Sequence, residues 1–245
     1  MKRLEKKIKR AAIIQPNFFP WIGYYEIIKF VDIFLVLDDT QYTRRDWRNK
    51  NFINNNGKKL NVTIPVQTKN RYFQKINETQ IAGSNWTKEI LKKISHCYKK
   101  TKYYEEIFNF IKSILNEKEK YLYNVSLSTI FEIMQFLQIE KDLLLTSNVG
   151  IDPKFEKNER IIKICKVMGV TNYVTGPSAL NYLKPNIFIN NKITLEILEY
   201  KKQINYLNNN NFSFLEKLSI IDLLFHRGKF SKNFLQIPNV KTFTI

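Results

Sequence analysis

Residues 33–37, Ile-Phe-Leu-Val-Leu, are apolar at every position and run straight into Asp38 and Asp39. A strand with no polar alternate buries both its faces, which predicts a parallel sheet with helices on either side. The residues before it fit. Residues 11–14 form a short apolar strand, and Pro16 and Pro20 forbid helix in the loop that follows. Ile22, Tyr25, Ile28 and Val31 then recur at helical spacing. Strand, loop, helix and strand in under 30 residues make a βαβ unit, whose crossover is right-handed by rule.

Downstream, residues 54–57 (Asn-Asn-Asn-Gly) signal a tight turn, and Leu60, Val62, Ile64 and Val66 alternate as a half-buried strand with Pro65 at an edge. Helical stripes follow over residues 86–98, at Ile107, Phe110, Ile111, Ile114 and Leu115, and at Leu127, Ile130, Phe131, Met134 and Leu137. A second α/β stretch has strands at 143–145 and 172–175, and a helix striped by Ile161, Ile164, Cys165 and Met168 that stops at Gly169. Gly176-Pro177-Ser178 opens a short helix, with Ser178 as its expected cap, and residues 187–189 and 193–198 read as further strands. The last organised element is 214–228, a buried helix. The fold class is therefore α/β: Rossmann-like, a mostly parallel sheet with flanking helices and a central helical insertion. Residues 1–85 are the first α/β half with the site loops, 86–140 the insertion, and 141–245 the second half of the same domain.

The 245 residues hold enough apolar side chains for a full core. No apolar run approaches the roughly 18 residues of a spanning helix, and the basic start lacks the apolar stretch of a secretion signal, so membrane insertion is not expected and the cytoplasm is. Cys97 and Cys165, far apart on helices, read as reduced thiols, not as a disulfide or metal site. The net charge of +18 attracts phosphates, nucleotides and nucleic acid, though Lys-rich solvated helix faces supply part of it.

Candidate site residues gather after the first two strands, where open α/β sheets bind ligands. Gln15, Asn17 and Gln41 offer amides. Phe18, Trp21, Tyr24 and Trp47 offer apolar walls and stacking. Asp38 and Asp39 are candidate bases, and Arg44, Arg45, Arg48, Asn49 and Asn51 are groups that hold phosphates and sugars. Asp38 and Asp39 superficially resemble a metal-bridging Asp pair, but neighbours on an extended strand face opposite ways. Gly176, Pro177 and Ser178 after a strand suit an anion at backbone N–H groups. Ser219, Asp222 and His226 form one polar stripe on the late helix, which either pairs internally or lines a cleft; His226 is a candidate acid or base.

Several of these stretches resemble the WbqC-like family: Ile14-Gln15-Pro16-Asn17-Phe18-Phe19-Pro20-Trp21-Ile22-Gly23-Tyr24, Leu37-Asp38-Asp39-Thr40-Gln41, Trp47-Arg48-Asn49-Lys50-Asn51, Gly176-Pro177-Ser178 and residues 219–225. The sequence departs from that pattern at Ile14, where a His would precede Gln15. The resemblance implies a role in bacterial O-antigen or capsule assembly: acyl or aminoacyl transfer to the amine of a nucleotide-linked amino-deoxy sugar. No cofactor is implied with certainty; the acyl donor would be an aminoacyl-tRNA, an acyl-CoA or an ATP-activated acid, and tRNA is a partner on the first of these. A fold-level likeness to nucleotidyltransferases such as pantothenate synthetases places Trp21-Ile22-Gly23-Tyr24 where those carry His-X-Gly-His. A glycosyltransferase and a non-catalytic basic nucleic-acid-binding protein remain open, and the central helices would serve equally as a lid or as the interface of a homo-oligomer.

Overall fold

A computed structural model describes residues 7–44, 46–207 and 214–243. The strands are β1 (Arg10–Ile14), β2 (Ile33–Val36), β3 (Lys50–Asn55), β4 (Lys58–Thr63), β5 (Leu143–Leu145), β6 (Asn172–Thr175), β7 (Thr194–Glu199) and β8 (Asn239–Phe243). The α-helices are α1 (Ile22–Phe30), α2 (Trp86–Tyr98), α3 (Tyr104–Ile114), α4 (Leu122–Phe136), α5 (Lys157–Val167), α6 (Pro185–Asn190) and α7 (Ile220–Arg227). Six strands form one sheet in the order β5-β2-β1-β6-β7-β8, and β3 pairs with β4 in a separate hairpin. Every contact in the large sheet is parallel except β7 with β8. This is the doubly wound order, in which the chain leaves β1 toward one edge and β6 toward the other.

The alternation along each strand sorts side chains between two cores. Ala12, Phe34, Val36, Val174 and Leu198 face α1, the α2–α4 helices and α7, while Ala11, Ile13, Leu35, Tyr173, Leu195 and Ile197 face α5 and α6. Strands covered on both faces explain why residues 33–37 carry no polar alternate. At the amino end of the sheet Arg10 donates to Glu196 at 2.8 Å, and Asn172 donates to the same carboxylate, so three neighbouring strands share one buried acid.

Three readings of the sequence are corrected. Residues 187–189 are helical, not a strand: they lie in α6, which Pro185 opens with its fixed φ and missing N–H. Ser178 caps nothing, because the short 3₁₀ helix Pro177–Asn181 has Gly176 at its N-cap and no side-chain cap bond. The alternating strand ends at Thr63, ahead of Pro65. The strands β3 and β8 had not been expected at all.

Gly23, in the first turn of α1, is required by space. A Cβ there would lie 2.3 Å from the Trp21 ring, whose centroid is 4.9 Å from that of Tyr200. Gly23→Ala must push the indole off its seat, an overpacking cost of about 1–3 kcal/mol that outweighs the gain in helix propensity. A lower melting temperature and an altered near-ultraviolet circular dichroism spectrum are the expected readouts.

Candidate functional site

The loops after β1 and β6 diverge, and the crevice between them lies at the topological switch point, where ligands of such sheets bind. Into it comes Arg48, from the segment between β2 and β3. Its guanidinium donates to the Gln15 and Asn17 side-chain oxygens and, at 3.2 Å, to Asp46. The side chain is only 12% exposed, and its Nε has no partner among the described residues. Burial lowers the Arg48 pKa below the usual value for arginine, the nearby Asp46 opposing that shift. Gln15 also donates to the Thr40 hydroxyl at 3.0 Å, and Tyr24 donates to the Gln15 carbonyl at 3.3 Å. One loop residue thus joins the end of β1, the end of β2 and the Arg48 cation.

The loop itself is held rigidly. Phe18 and Phe19 are fully buried with their rings 4.5 Å apart, and Phe19 has a φ of 41°, a strained conformation for a bulky residue. Asn51 in β3 offsets that strain by donating to both the Phe18 and Phe19 carbonyls, at 3.3 and 2.7 Å. Phe18 and Tyr24 are therefore core residues behind the loop instead of walls for a ligand, and Asn51 is a brace. Asn49 likewise donates to the Ile64 carbonyl, tying the segment to the end of β4. Trp47 is 44% exposed, edge-on to Phe52, and its carbonyl accepts from the Phe18 N–H. Arg44 donates to the Thr68 carbonyl and Gln41 to the Tyr72 carbonyl, while Arg45 lies outside the described residues. Gly176 directly follows β6 and is half-buried, and Pro177 and Ser178 are exposed.

Asp38 and Asp39 sit just past β2, both buried. The strand rule that should have turned them apart does not hold there: Thr146 Oγ1 lies 3.1 Å from Asp38 and 2.8 Å from Asp39, so both carboxylates reach one hydroxyl. Asp38 further accepts from the Ser147 N–H at 3.0 Å and from Asn77 at 3.3 Å. Asp39 meets Arg160 of α5 with both oxygens, at 2.8 and 2.6 Å. Arg160 is 4% exposed, and its Nε and Nη1 have no partner among the described residues. Thr146, Asn77 and Arg160 were not expected from the sequence. Arg160 could have been suspected, since it lies next to the buried stripe Ile161, Ile164 and Cys165. No group of three or more His, Cys, Asp or Glu among the described residues could hold a metal ion.

The sequence profile of the WbqC-like protein family matches residues 15–233, which takes in both strand-end loops, the Asp pair, Arg48 and α7. The chain belongs to the WbqC-like protein family. It is 34% identical over 230 residues to the uncharacterized protein Rv1507c of Mycobacterium tuberculosis, across 94% of this chain and 98% of that one. No solved structure matches it significantly. No helix among the described residues is long and apolar enough to cross a membrane. Both cysteines are free, and burial pushes their thiols up to about 11 at Cys97 and about 12 at Cys165.

In this WbqC-like chain the polar stripe of α7 pairs internally. Ser219 is the helix cap, accepting weakly from the Ile221 N–H at 3.4 Å, and the turn docks on the β1 loop and on β3 through Ile220 N–H to Pro20 and Ser219 N–H to Phe52. Asp222 accepts from the hydroxyls of Tyr98 and Tyr206. His226, in the last turn, packs edge-on to Tyr98 and tilted against Tyr206. Burial, with the neighbouring Arg227 charge, pushes its pKa down to about 4, so it is neutral at pH 7. Burial moves Asp222 the other way, up to about 6.

These two shifts oppose each other in pH. Folded Asp222 keeps its proton up to about pH 6 whereas the unfolded chain loses it near 3.8, so its contribution to stability falls as pH rises through that window. His226 binds its proton near 4 when folded and near 6.5 when unfolded, so its contribution is complete above 6.5 and lost as pH falls toward 4. Asp222→Asn removes one slope and leaves the other. Relative to the parent, the variant should gain about 2–3 kcal/mol of stability between pH 4 and pH 6.5, read as urea midpoints at the two ends.

Proposed function

We propose that the chain is a transferase of surface-polysaccharide assembly that moves an acyl or aminoacyl group onto the amine of a nucleotide-linked amino-deoxy sugar. The observation that carries this reading is Arg48, a nearly buried cation held by Gln15 and Asn17 at the switch point of a doubly wound sheet. A guanidinium so placed suits the diphosphate of a nucleotide sugar, because it carries a fixed positive charge and is weakly hydrated. Family membership supports the pathway. A nucleotide-linked substrate also puts the work in the cytoplasm.

The reaction needs a base to take a proton from the sugar ammonium and donors to hold the oxyanion that forms when the amine attacks the acyl carbonyl. We assign the base to Asp38. One of its oxygens accepts only the long bond from Asn77, whereas both oxygens of Asp39 lie on Arg160. Asp39 then fixes the shared Thr146 hydroxyl, and the Ser147 N–H orients Asp38. His226, at the far turn of α7, is given no step.

Thermal shift against UDP- and dTDP-linked amino sugars and their hydroxyl analogues tests the reading, since a ligand of the folded state raises the melting temperature. Selective stabilisation by an amino sugar nucleotide is the expected result. Equal stabilisation by the hydroxyl analogues would favour a glycosyltransferase, and a shift with every polyanion that disappears with salt would leave a basic binding protein.

A further inference from the structure

The two most exposed large apolar side chains among the described residues are neighbours. Tyr72 is 68% and Phe73 83% exposed, with ring centroids 5.0 Å apart and planes at 90°. They crown a loop, residues 68–75, that also carries Lys69, Arg71 and Lys75 and no acid. The loop is ordered by its backbone. Gln41 donates to the Tyr72 carbonyl, the Tyr42 N–H to the Gln74 carbonyl and the Ile76 N–H to the Thr40 carbonyl, each at 2.9 Å. It is therefore fastened directly to the segment that follows Asp38 and Asp39, whose Thr40 hydroxyl accepts from Gln15.

An ordered pair of exposed rings among cations has a specific use. Single-stranded nucleic acid is bound by stacking its bases on aromatic faces while basic side chains track the phosphates, and a duplex cannot present its base faces in this way. We propose that residues 68–75 are a platform for the single-stranded end of an RNA. The other loop positions, Thr68, Asn70 and Gln74, are polar. They suit base edges and sugar hydroxyls, whereas a membrane-binding tip would want apolar area beyond two rings. This inference deepens the proposed function and rests on it: the RNA end bears the acyl donor as an aminoacyl ester. The sugar ammonium gives one proton to Asp38 and its nitrogen attacks the ester carbonyl. The C–N bond forms, the ester C–O bond breaks, and the ribose hydroxyl leaves with a second amine proton.

The test is fluorescence anisotropy of the full chain with a labelled short oligoribonucleotide, single-stranded and annealed to its complement, with sedimentation of phosphatidylglycerol vesicles alongside. The single strand should bind more tightly than the duplex. Tyr72→Ala with Phe73→Ala should weaken the single strand about ten- to a hundredfold and leave the duplex unchanged. Replacing Lys69, Arg71 and Lys75 by Ala should flatten the salt dependence. Equal binding of both forms, indifferent to the aromatic variant, would overturn the proposal. So would a variant that loses vesicle binding and keeps the oligonucleotide. The side chains are exposed, so the parent melting temperature should survive. A sugar-nucleotide thermal shift kept in the aromatic variant separates the two ideas: if the shift persists while oligonucleotide binding fails in the parent, only this inference falls, and if the parent shows no shift, the proposed function falls.

Discussion

Arg160→Met is expected to cost about 3–5 kcal/mol of stability, the usual penalty for removing one partner of a buried ion pair. Asp39 is 6% exposed and holds Arg160 with both oxygens, so the variant leaves a carboxylate in a dry site beside a second carboxylate, Asp38, with only the Thr146 hydroxyl between them. Much of the loss should return in the double variant Arg160→Met with Asp39→Leu, because removing both charges also removes their desolvation. Urea unfolding of the two variants checks this. If the double variant is no more stable than the single one, the pair has a role in holding β2 to α5 that its charge does not explain.

Arg48→Ala should weaken binding of the amino sugar nucleotide about a hundredfold, equivalent to about 2–3 kcal/mol for removing a charge-assisted hydrogen bond within a site that excludes most water. Arg48→Lys keeps the charge but cannot reach Gln15, Asn17 and a ligand at once with a planar fork, so it should recover only part. Both variants should fold, since Gln15 and Asn17 are only partly buried and water can take the place of the missing donors. Titration calorimetry gives the two affinities. Full affinity in Arg48→Lys would mean that the site reads charge alone, and full affinity in Arg48→Ala would move the phosphate seat elsewhere.

Much of this arrangement could be read before the structure, and the failures have physical causes. The strand at residues 33–37 and the stripes of α2, α3 and α5 were legible because burial forces a pattern on composition, whereas the α4 stripe was read partly off its face: Ile130, Met134 and Leu137 are buried but Phe131 is exposed. Lys50–Asn55 hid its strand because only Asn51, Ile53 and Asn54 are buried, and the Asn51 amide finds its acceptors, the Phe18 and Phe19 carbonyls, far away in the chain. Asn239–Phe243 is an edge strand with no buried residue, so no apolar pattern marked it. At Ile187 to Ile189 a short apolar run fits helix and strand equally, and Pro185 was the signal that should have decided it. The site divided along similar lines. Gln15, Asn17 and Arg48 were legible as polar residues in strand-end loops, and the structure joins them. Phe18, Tyr24 and Asn51 stand in the same motifs yet serve the loop's own packing, a distinction that spacing does not encode. Thr146 and Arg160 reach the Asp pair only through the crossing of β5 and α5 beside β2, which no local pattern announces.

The docking of α7 also fixes when the site can exist. The first turn of α7 is bonded to Pro20 and Phe52, and β1, which carries Gln15 at its end, is paired to β6 more than 160 positions later. Pairings so distant in sequence form late and slowly, because the entropy of closing the loop must be overcome before they contribute. During synthesis the first loop emerges early and meets Trp47 and Asn51 soon after, but its partner on α7 arrives only once residue 220 is outside the ribosome. A nascent chain therefore carries the Gln15-to-Trp21 loop for most of its elongation without a closed crevice, and ligand binding should appear only once α7 has docked.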